Sequence, residues 1–289
     1  MSDLSQSIII GTRGSPLALA QAESAKAALE KSIPGGSVSL KIFVTQGDKK
    51  LAWSLEKTGG KGLFTSELEE ALIAGDIDVA VHSGKDLPTA LADGTSLAGC
   101  LPRADARDVL VFRENLPAAA PAKIATGSPR RRAQARRLFP EAEFCELRGN
   151  VKTRLQKIAD GTADATFLAA AGLARLGINE FPGLKFRPLS LEEMVPAASQ
   201  AAIALQTRSR DAAFFARTCD AETTLAATIE RAFLAALGEG CHTAFAVHFT
   251  GTRILIFRED IGHREIDFPV PSTEEIPDAV SRALRKIFN

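Results

Sequence analysis

The chain repeats itself, and the repeat limits what it can fold into. Thr12-Arg13-Gly14-Ser15-Pro16 runs into Ala20-Gln21-Ala22, and Thr126-Gly127-Ser128-Pro129 runs into Ala133-Gln134-Ala135, so both carry Ser-Pro-x-x-x-Ala-Gln-Ala. A second correspondence comes in the same order. Ile73-Ala74-Gly75-Asp76-Ile77-Asp78-Val79-Ala80 stands against Ile158-Ala159-Asp160-Gly161-Thr162-Ala163-Asp164-Ala165. Each is a helix end, a Gly turn, an Asp and a strand. Two matches in one order predict two similarly built α/β domains side by side. Ser caps a helix well and Pro suits its first position. Such a start turns N–H groups and the positive end of the helix dipole toward a loop, where anions bind. Read alone, two Ser-Pro steps are also just two helix caps.

At 289 residues the chain has room for two or three domains. Its 35 basic and 35 acidic residues balance, so net charge implies no polyanion. Cys100, Cys145, Cys219 and Cys241 are widely spread, which argues against a zinc site or a disulfide scaffold and fits a reducing compartment. Met1 to Ser7 is polar, and no apolar run is long enough to span a membrane. A cytoplasmic protein without a metal is expected.

Ile8-Ile9-Ile10 reads as a strand, Leu17 to Lys31 as a helix and Val38 to Val44 as a second strand. Gln46 to Gly62 reads as a mobile loop. It lacks the glycine spacing of a P-loop, and no Ser or Thr follows Lys61. Phe64 to Ala74 reads as a helix that Gly75 ends. The strand Ile77 to Val81 then runs into His82-Ser83-Gly84-Lys85-Asp86-Leu87-Pro88, which sets two charges at a sheet edge, where open α/β sheets bind ligands. Asp108 to Phe112 and Ile203-Ala204-Leu205 read as strands, the latter returning to the first domain. Thr223 to Leu237 is an amphipathic helix. Strands at Phe245 to Thr250, Arg253 to Arg258 and Ile266 to Phe268, with a helix from about Pro277, make a small α+β unit.

From Ser128 to Arg154 the chain concentrates Arg130, Arg131, Arg132, Arg136, Arg137, Arg148, Lys152 and Arg154, against Glu141, Glu143 and Glu146. Part of such a belt is ordinary solvated surface. Arg130 and Arg131, however, fall in the first turn of a helix, where the dipole disfavours cations, so an anion is expected beside them. Guanidinium forks match carboxylates in two-point contacts. Nucleic acid is the weaker partner, because aromatic residues are sparse in the belt and no binding motif is present. Cys241 follows Gly240 on a turn, with His242 beside it. A free Cys is commonly a small core hydrophobe. A Cys–His hydrolase would need a third orienting group, and none is evident.

These segments resemble the porphobilinogen deaminase (hydroxymethylbilane synthase) family over nearly the whole chain. The resemblance rests on Thr12 to Ala18, Gly59 to Phe64, His82 to Pro88, Arg130-Arg131, Leu147-Arg148-Gly149-Asn150-Val151 with Thr153-Arg154-Leu155, Ala170-Ala171-Gly172-Leu173 with Arg175, and Gly240-Cys241. It implies two similar periplasmic-binding-protein-like α/β domains plus a small C-terminal α+β domain. The expected division is 1–103 with 199–218, then 104–198, then 219–289.

The resemblance also implies a reaction. Four porphobilinogen molecules condense into a linear tetrapyrrole with release of ammonia, primed by a dipyrromethane cofactor held by a thioether to Cys241. Asp86 would be the catalytic group, a buried, fixed negative charge that stabilises cationic pyrroles. Cofactor contacts would come from Lys85, Asp86, Ser128, Arg130 and Arg131. Substrate contacts would come from Arg13, Ser15, Arg148, Arg154, Arg175 and Phe64. The 49–60 stretch would be a lid and the protein a monomer. Some positions depart from the family pattern. Gly84 stands where a larger apolar residue is usual, and Pro129, Arg132 and Lys152 are atypical. Ser199-Gln200-Ala201 replaces Gly-Gln-Gly, Glu239 replaces Gly, and Ala244 replaces Pro. Ser and Ala resist backbone angles that Gly permits, so either the hinge is built differently or the activity is altered; the retained Asp86, Cys241 and arginines favour an active enzyme. The alternative reading is a non-catalytic two-domain binding protein for a polycarboxylate ligand, which would have no use for Cys241.

Overall fold

The computed structural model describes residues 7–33, 35–45, 65–116, 120–238 and 244–288. The expectations for the 46–62 loop with its lid, for Phe64, and for Cys241 and His242 lie outside these residues.

The first sheet is ordered β2-β1-β3-β10-β4, from β1 (Ser7–Arg13), β2 (Ser37–Phe43), β3 (Val79–Ser83), β4 (Thr95–Cys100) and β10 (Ile203–Arg208). β1 runs parallel to β2 and β3, and β10 runs antiparallel to β3 and β4. The second sheet is ordered β7-β6-β8-β5-β9, from β5 (Asp108–Arg113), β6 (Lys123–Ala125), β7 (Glu143–Cys145), β8 (Ala165–Ala169) and β9 (Leu184–Pro188). β6 runs parallel to β7 and β8, and β5 antiparallel to β8 and β9. The two topologies are the same strand for strand. β6 takes the place of β1, β8 that of β3, and β5 that of β10. The sequence repeat is therefore a repeat of structure.

Each Ser-Pro step does what its chemistry dictates. α1 (Pro16–Ser32) follows β1, and the Ser15 hydroxyl accepts from Ala18 N at 3.3 Å. α3 (Pro129–Leu138) follows β6, and Ser128 Oγ accepts from Arg131 N at 3.4 Å. Before each third strand comes a helix, α2 (Ser66–Ala74) and α4 (Val151–Ala159). Gly75, at φ +81°, closes α2 with its N–H turned back to Ala71 and Leu72 carbonyls. α2 begins two residues after the Phe64 start that the sequence suggests.

Helices cover both faces of each sheet. In the first, Ile8, Ile10, Val79 and Leu205 pack on Ala22, Ala25 and Leu29 of α1, while Ile77 and Ala80 pack on Leu68 and Leu72 of α2. In the second, Val109, Val111 and Leu168 meet Leu155 and Ile158 of α4. Leu110, Phe112 and Phe167 meet Ala135 and Phe139. Each fully buried Leu or Phe contributes roughly 1.5–3 kcal/mol of transfer free energy.

The third unit pairs a meander of β11 (Phe245–Phe249), β12 (Arg253–Arg258) and β13 (Gly262–Asp267) with α7 (Ala221–Ala236) and α8 (Ile276–Phe288). Two short helices complete the chain, α5 (Ala170–Arg175) after β8 and α6 (Ala212–Ala216) after β10. The backbone crosses between the two large sheets twice, near residues 101–107 and 189–202. These two crossings connect the large domains, and the second contains the Ser199-Gln200-Ala201 stretch where the sequence leads one to expect a hinge.

Candidate active site

β3 leaves its sheet at Ser83, and Gly84–Asp86 form a single 3-10 turn before Pro88. Lys85 is half-buried, and its Nζ donates to Gln200 Oε1 at 3.5 Å. Burial pushes its pKa down to about 8. Arg131 and Arg130 push the same way, and Asp86 and Asp108 push against them. Asp86 is exposed, which corrects the buried charge expected from sequence. It sits three residues past the end of β3, on a one-turn helix that leaves the sheet. Its carboxylate still acts on Lys85 beside it and on Arg154 of the other large domain, favouring the charged form of each.

Arg130 and Arg131 do have an anion beside them, but the chain itself supplies it. Asp108, the fully buried first residue of β5, takes Arg130 Nη2 on Oδ2 at 2.7 Å. It takes Arg131 Nη2 on Oδ1 at 2.6 Å and Nε at 3.1 Å. Arg130 Nη1 donates to the Val195 carbonyl at 2.6 Å, and Arg131 Nη1 to the Phe167 carbonyl at 2.8 Å. Burial alone would raise the Asp108 pKa. Arg130, Arg131 and Lys85 override it and hold the carboxyl to about 2. The anion expected beside these arginines is thus Asp108 of the chain itself, and the pair forms a buried ion cluster. Each guanidinium has five N–H donors, more than these contacts use.

Arg148 and Arg154 gather at the same end of the second sheet. Gly127 lacks a side chain where a Cβ would come 3.1 Å from Arg148 Cζ and 2.9 Å from Glu146 Oε2, so both groups lie over the start of α3. Glu146 holds Arg132 at 2.6 Å and stands 3.4 Å from Arg148 Nη2, which is buried without a hydrogen-bond acceptor among the described residues. Arg154 Nε donates to the Gly149 carbonyl at 2.6 Å. Burial, Arg131 and Arg148 together lower its pKa to about 10, with Asp86 opposing. Arg175 ends α5 and donates from Nη2 to the Ala201 carbonyl at 2.5 Å, where burial lowers its pKa.

Arg13 ends β1 close enough to His82 to disfavour its protonation. Burial, the larger cause, takes that imidazole to about 4. Ser15 and Ser128 are half-buried at the two helix starts. Arg136 instead turns outward to Glu259 at 3.5 Å and is surface.

Three supports could not be read from the sequence. Gln200 donates from Nε2 to the Ala106 carbonyl at 2.7 Å while receiving Lys85, so it ties both crossings to the Lys85–Asp86 turn. Arg103 donates from Nε to the Gln200 carbonyl at 2.9 Å and from both Nη atoms to Glu230 of α7. Arg231, also on α7, donates to the carbonyls of Leu87, Pro88 and Thr89 at 3.0, 2.6 and 3.2 Å.

The site is therefore a connected set in which cations outnumber acids: Lys85, Arg130, Arg131, Arg148 and Arg154 with Asp86, Asp108 and Glu146. Surplus positive charge in a half-buried place is relieved by a bound anion. A compound with several carboxylates fits it.

The family model "Porphobilinogen deaminase, dipyromethane cofactor binding domain" matches residues 8–216. The chain belongs to the porphobilinogen deaminase family. It is 46% identical to the porphobilinogen deaminase of Nitrobacter winogradskyi over 249 residues, 83% of this chain and 77% of that one. It is 42% identical to that of a Roseiflexus species over 270 residues, 91% and 88% of the two chains. To the chloroplastic porphobilinogen deaminase of Pisum sativum it is 44% identical over 252 residues, 83% and 67% of the two. Among solved structures, the periplasmic aliphatic sulphonate binding protein SsuA from Escherichia coli aligns with a TM-score of 0.44 at 16% identity, over 81% and 71% of the two chains. The enzyme condenses four porphobilinogen molecules into linear hydroxymethylbilane with release of ammonia, and its cofactor is a dipyrromethane. The reading as a non-catalytic polycarboxylate-binding protein gives way to it.

Proposed function

We propose that Asp86 is the catalytic carboxylate of this porphobilinogen deaminase and that Cys241 carries the dipyrromethane through a thioether. When bound, the dipyrromethane supplies the nucleophilic pyrrole carbon from which the product grows. Lys85, Ser128, Arg130 and Arg131 hold its carboxylates. Arg13, Ser15, Arg148, Arg154 and Arg175 receive those of the incoming porphobilinogen, with Phe64 beside the rings.

The observation that carries this reading is that Asp86 lies close enough to Arg154, and Lys85 to Asp108, Arg130 and Arg131, to act on them electrostatically across the two sheets. Loss of ammonia from porphobilinogen leaves positive charge on a pyrrole ring. An ionised Asp86 oxygen that accepts the pyrrole N–H stabilises that charge as it develops. The same oxygen can take and return a proton. Exposure suits Asp86 to this role, because each new ring must reach it. The arginines act by position: each fixes a substrate carboxylate, and with it the distance from ring to Asp86.

The division into 1–103 with 199–218, 104–198 and 219–289 is supported by the sheet memberships above, with β10 returning to the first sheet. We also read the enzyme as a cytoplasmic monomer without a nucleic-acid partner. Cys100, Cys145 and Cys219 are free thiols, which fits a reducing compartment. No described helix is long and apolar enough to cross a membrane.

Intact-protein mass measurement tests the cysteine. A covalent increment of dipyrrole size is expected, and Cys241→Ser should abolish it; an increment that survives refutes the attachment. Asp86→Ala should fold and keep the increment while turnover falls by about 100-fold or more. Near-normal turnover in that variant refutes the catalytic role.

A further inference from the structure

Gly84 is buried against the second crossing, and its N–H donates to the Ala202 carbonyl at 2.9 Å. A Cβ built on Gly84 would lie 2.9 Å from Ser199 Cβ, 2.9 Å from the Ser199 carbonyl oxygen and 3.3 Å from the Ala202 oxygen. Ser199 itself adopts φ +58° and Ala201 φ +72°, and among the described residues these two alone hold side chains in the left-handed region. Such angles persist only where the surroundings over-determine them. Here they do. Ser199 N donates to Glu230 Oε2 at 2.6 Å, Gln200 N to the Ala197 carbonyl at 2.9 Å and Ala202 N to the Ser199 carbonyl at 3.2 Å. The Gln200 carbonyl accepts from Arg103 and the Ala201 carbonyl from Arg175. With its polar groups pinned, the 199–202 turn cannot yield to a neighbour.

We propose that positions 84 and 199 form one packing unit with room for a single side chain, and that Ser199 fills it and thereby sets the position of the Lys85–Asp86 turn against the hinge. Ser199 is 1% exposed, and its hydroxyl has no partner among the described residues. Its contribution is therefore volume rather than a hydrogen bond. A left-handed turn ordinarily wants glycine at 199; here a serine holds that angle and the glycine stands at 84, directly across the contact. A side chain at both positions must push one segment away. The 199–202 turn is held by five named contacts, whereas Gly84–Asp86 is a single 3-10 turn, so the latter moves. Asp86 and Lys85 move with it. Gly84 and Ser199 are thus positioning residues for Asp86, and the inference rests on the assignment of Asp86 above.

A mutant cycle tests it: Gly84→Ala, Ser199→Gly, the double variant, and Gly84→Ala with Ala201→Gly. Porphobilinogen turnover, KM, cofactor mass increment and unfolding midpoint are read for each. Gly84→Ala should lower kcat by about tenfold to 100-fold with a smaller change in KM, because a displacement of about 1 Å is enough for such losses. Ser199→Gly removes the facing Cβ but leaves the Ser199 carbonyl in place, so the double variant should recover part of kcat. Ala201→Gly relieves the same kind of backbone strain but does not face residue 84, and it should not restore kcat. Wild-type kcat in Gly84→Ala, or equal rescue by Ala201→Gly, overturns the proposal. If Gly84→Ala does not fold, the Gly84→Ala/Ser199→Gly variant must fold and turn over; its failure also overturns it. An active Asp86→Ala enzyme would sink the assignment of Asp86 itself. An inactive one together with additive effects at 84 and 199 would sink the packing unit alone.

Discussion

Arg103 and Glu230 meet in a two-point ion pair, 2.7 Å and 3.1 Å between guanidinium nitrogens and carboxylate oxygens, where the three domains join. Glu230 is wholly buried and also receives the backbone N–H groups of Ser199 and Phe249. Burial would raise its pKa, but Arg103 above all holds it to about 2. Removing one partner of such a pair leaves a buried charge without compensation, which costs about 3–5 kcal/mol. Glu230→Gln should therefore lower the unfolding midpoint by roughly 5–15 °C. A midpoint unchanged in thermal melts would show that the junction does not depend on this carboxylate.

Asp108 neutralises two arginines at once, so its loss should be felt in stability and in binding together. Asp108→Asn keeps the shape but leaves Arg130 and Arg131 buried without a counter-charge. A loss of about 3–5 kcal/mol in denaturant unfolding is expected. The direction of the pH effect comes from the shift. The carboxyl titrates at about 2 in the folded chain against an ordinary 3.8, so its contribution is complete above about 4 and is lost as pH falls toward 2. The variant should lack that segment of the acid-unfolding profile; an unaltered profile would contradict the assignment.

These two carboxylates also show where sequence reading stops. The Ser-Pro repeat was legible because helix capping is local: a hydroxyl, an imino acid and a loop suffice. The strand Ile8-Ile9-Ile10 was legible for the same reason. The edge strands Thr95–Cys100, Glu143–Cys145 and Leu184–Pro188 were not, because Gly99, Lys185, Arg187 and Pro188 spoil the pattern and only pairing fixes them. Within the site, the arginine belt announced an anion but not which one. Asp108 lies on another element, and its only signal was a carboxylate opening the apolar run Val109-Leu110-Val111. Glu230 gave a similar hint, an acid on the apolar face of α7 beside Ile229 and Phe233. Substitutions at 84 and 199 could be noticed singly, but their contact is tertiary and has no sequence spacing.

Arg231 should act on turnover more than on folding. It reaches from α7 to three successive carbonyls just after Asp86, so it fixes the far side of the Lys85–Asp86 turn, opposite the proposed contact with Ser199. Its side chain is only half-buried, which limits the cost of removing it. Arg231→Ala should cut kcat by about tenfold, in line with loss of positioning rather than of chemistry. Arg231→Lys, a point charge without the fork, should recover only part of this. Full recovery by lysine would mean that charge, not multi-point anchoring, is what the turn requires.

Lys85 gives the site a pH limit. Its pKa of about 8, against an ordinary 10.5, reflects burial first and the neighbouring Arg131 second. The unfolded lysine keeps its proton up to about 10.5 and the folded one only to about 8, so the ligand-free protein should gain stability as pH rises between them. Carboxylate binding runs the other way. The proposed hold of Lys85 on the dipyrromethane carboxylates needs the ammonium, so turnover should be full below about 8 and fall as pH climbs past it. kcat measured from pH about 7 to 9.5 should fall several-fold on the alkaline side. Lys85→Arg places a cation there that stays charged over this whole range. Its kcat should be flat over the same range whatever its absolute value. A retained alkaline fall in that variant would assign the titration to another group.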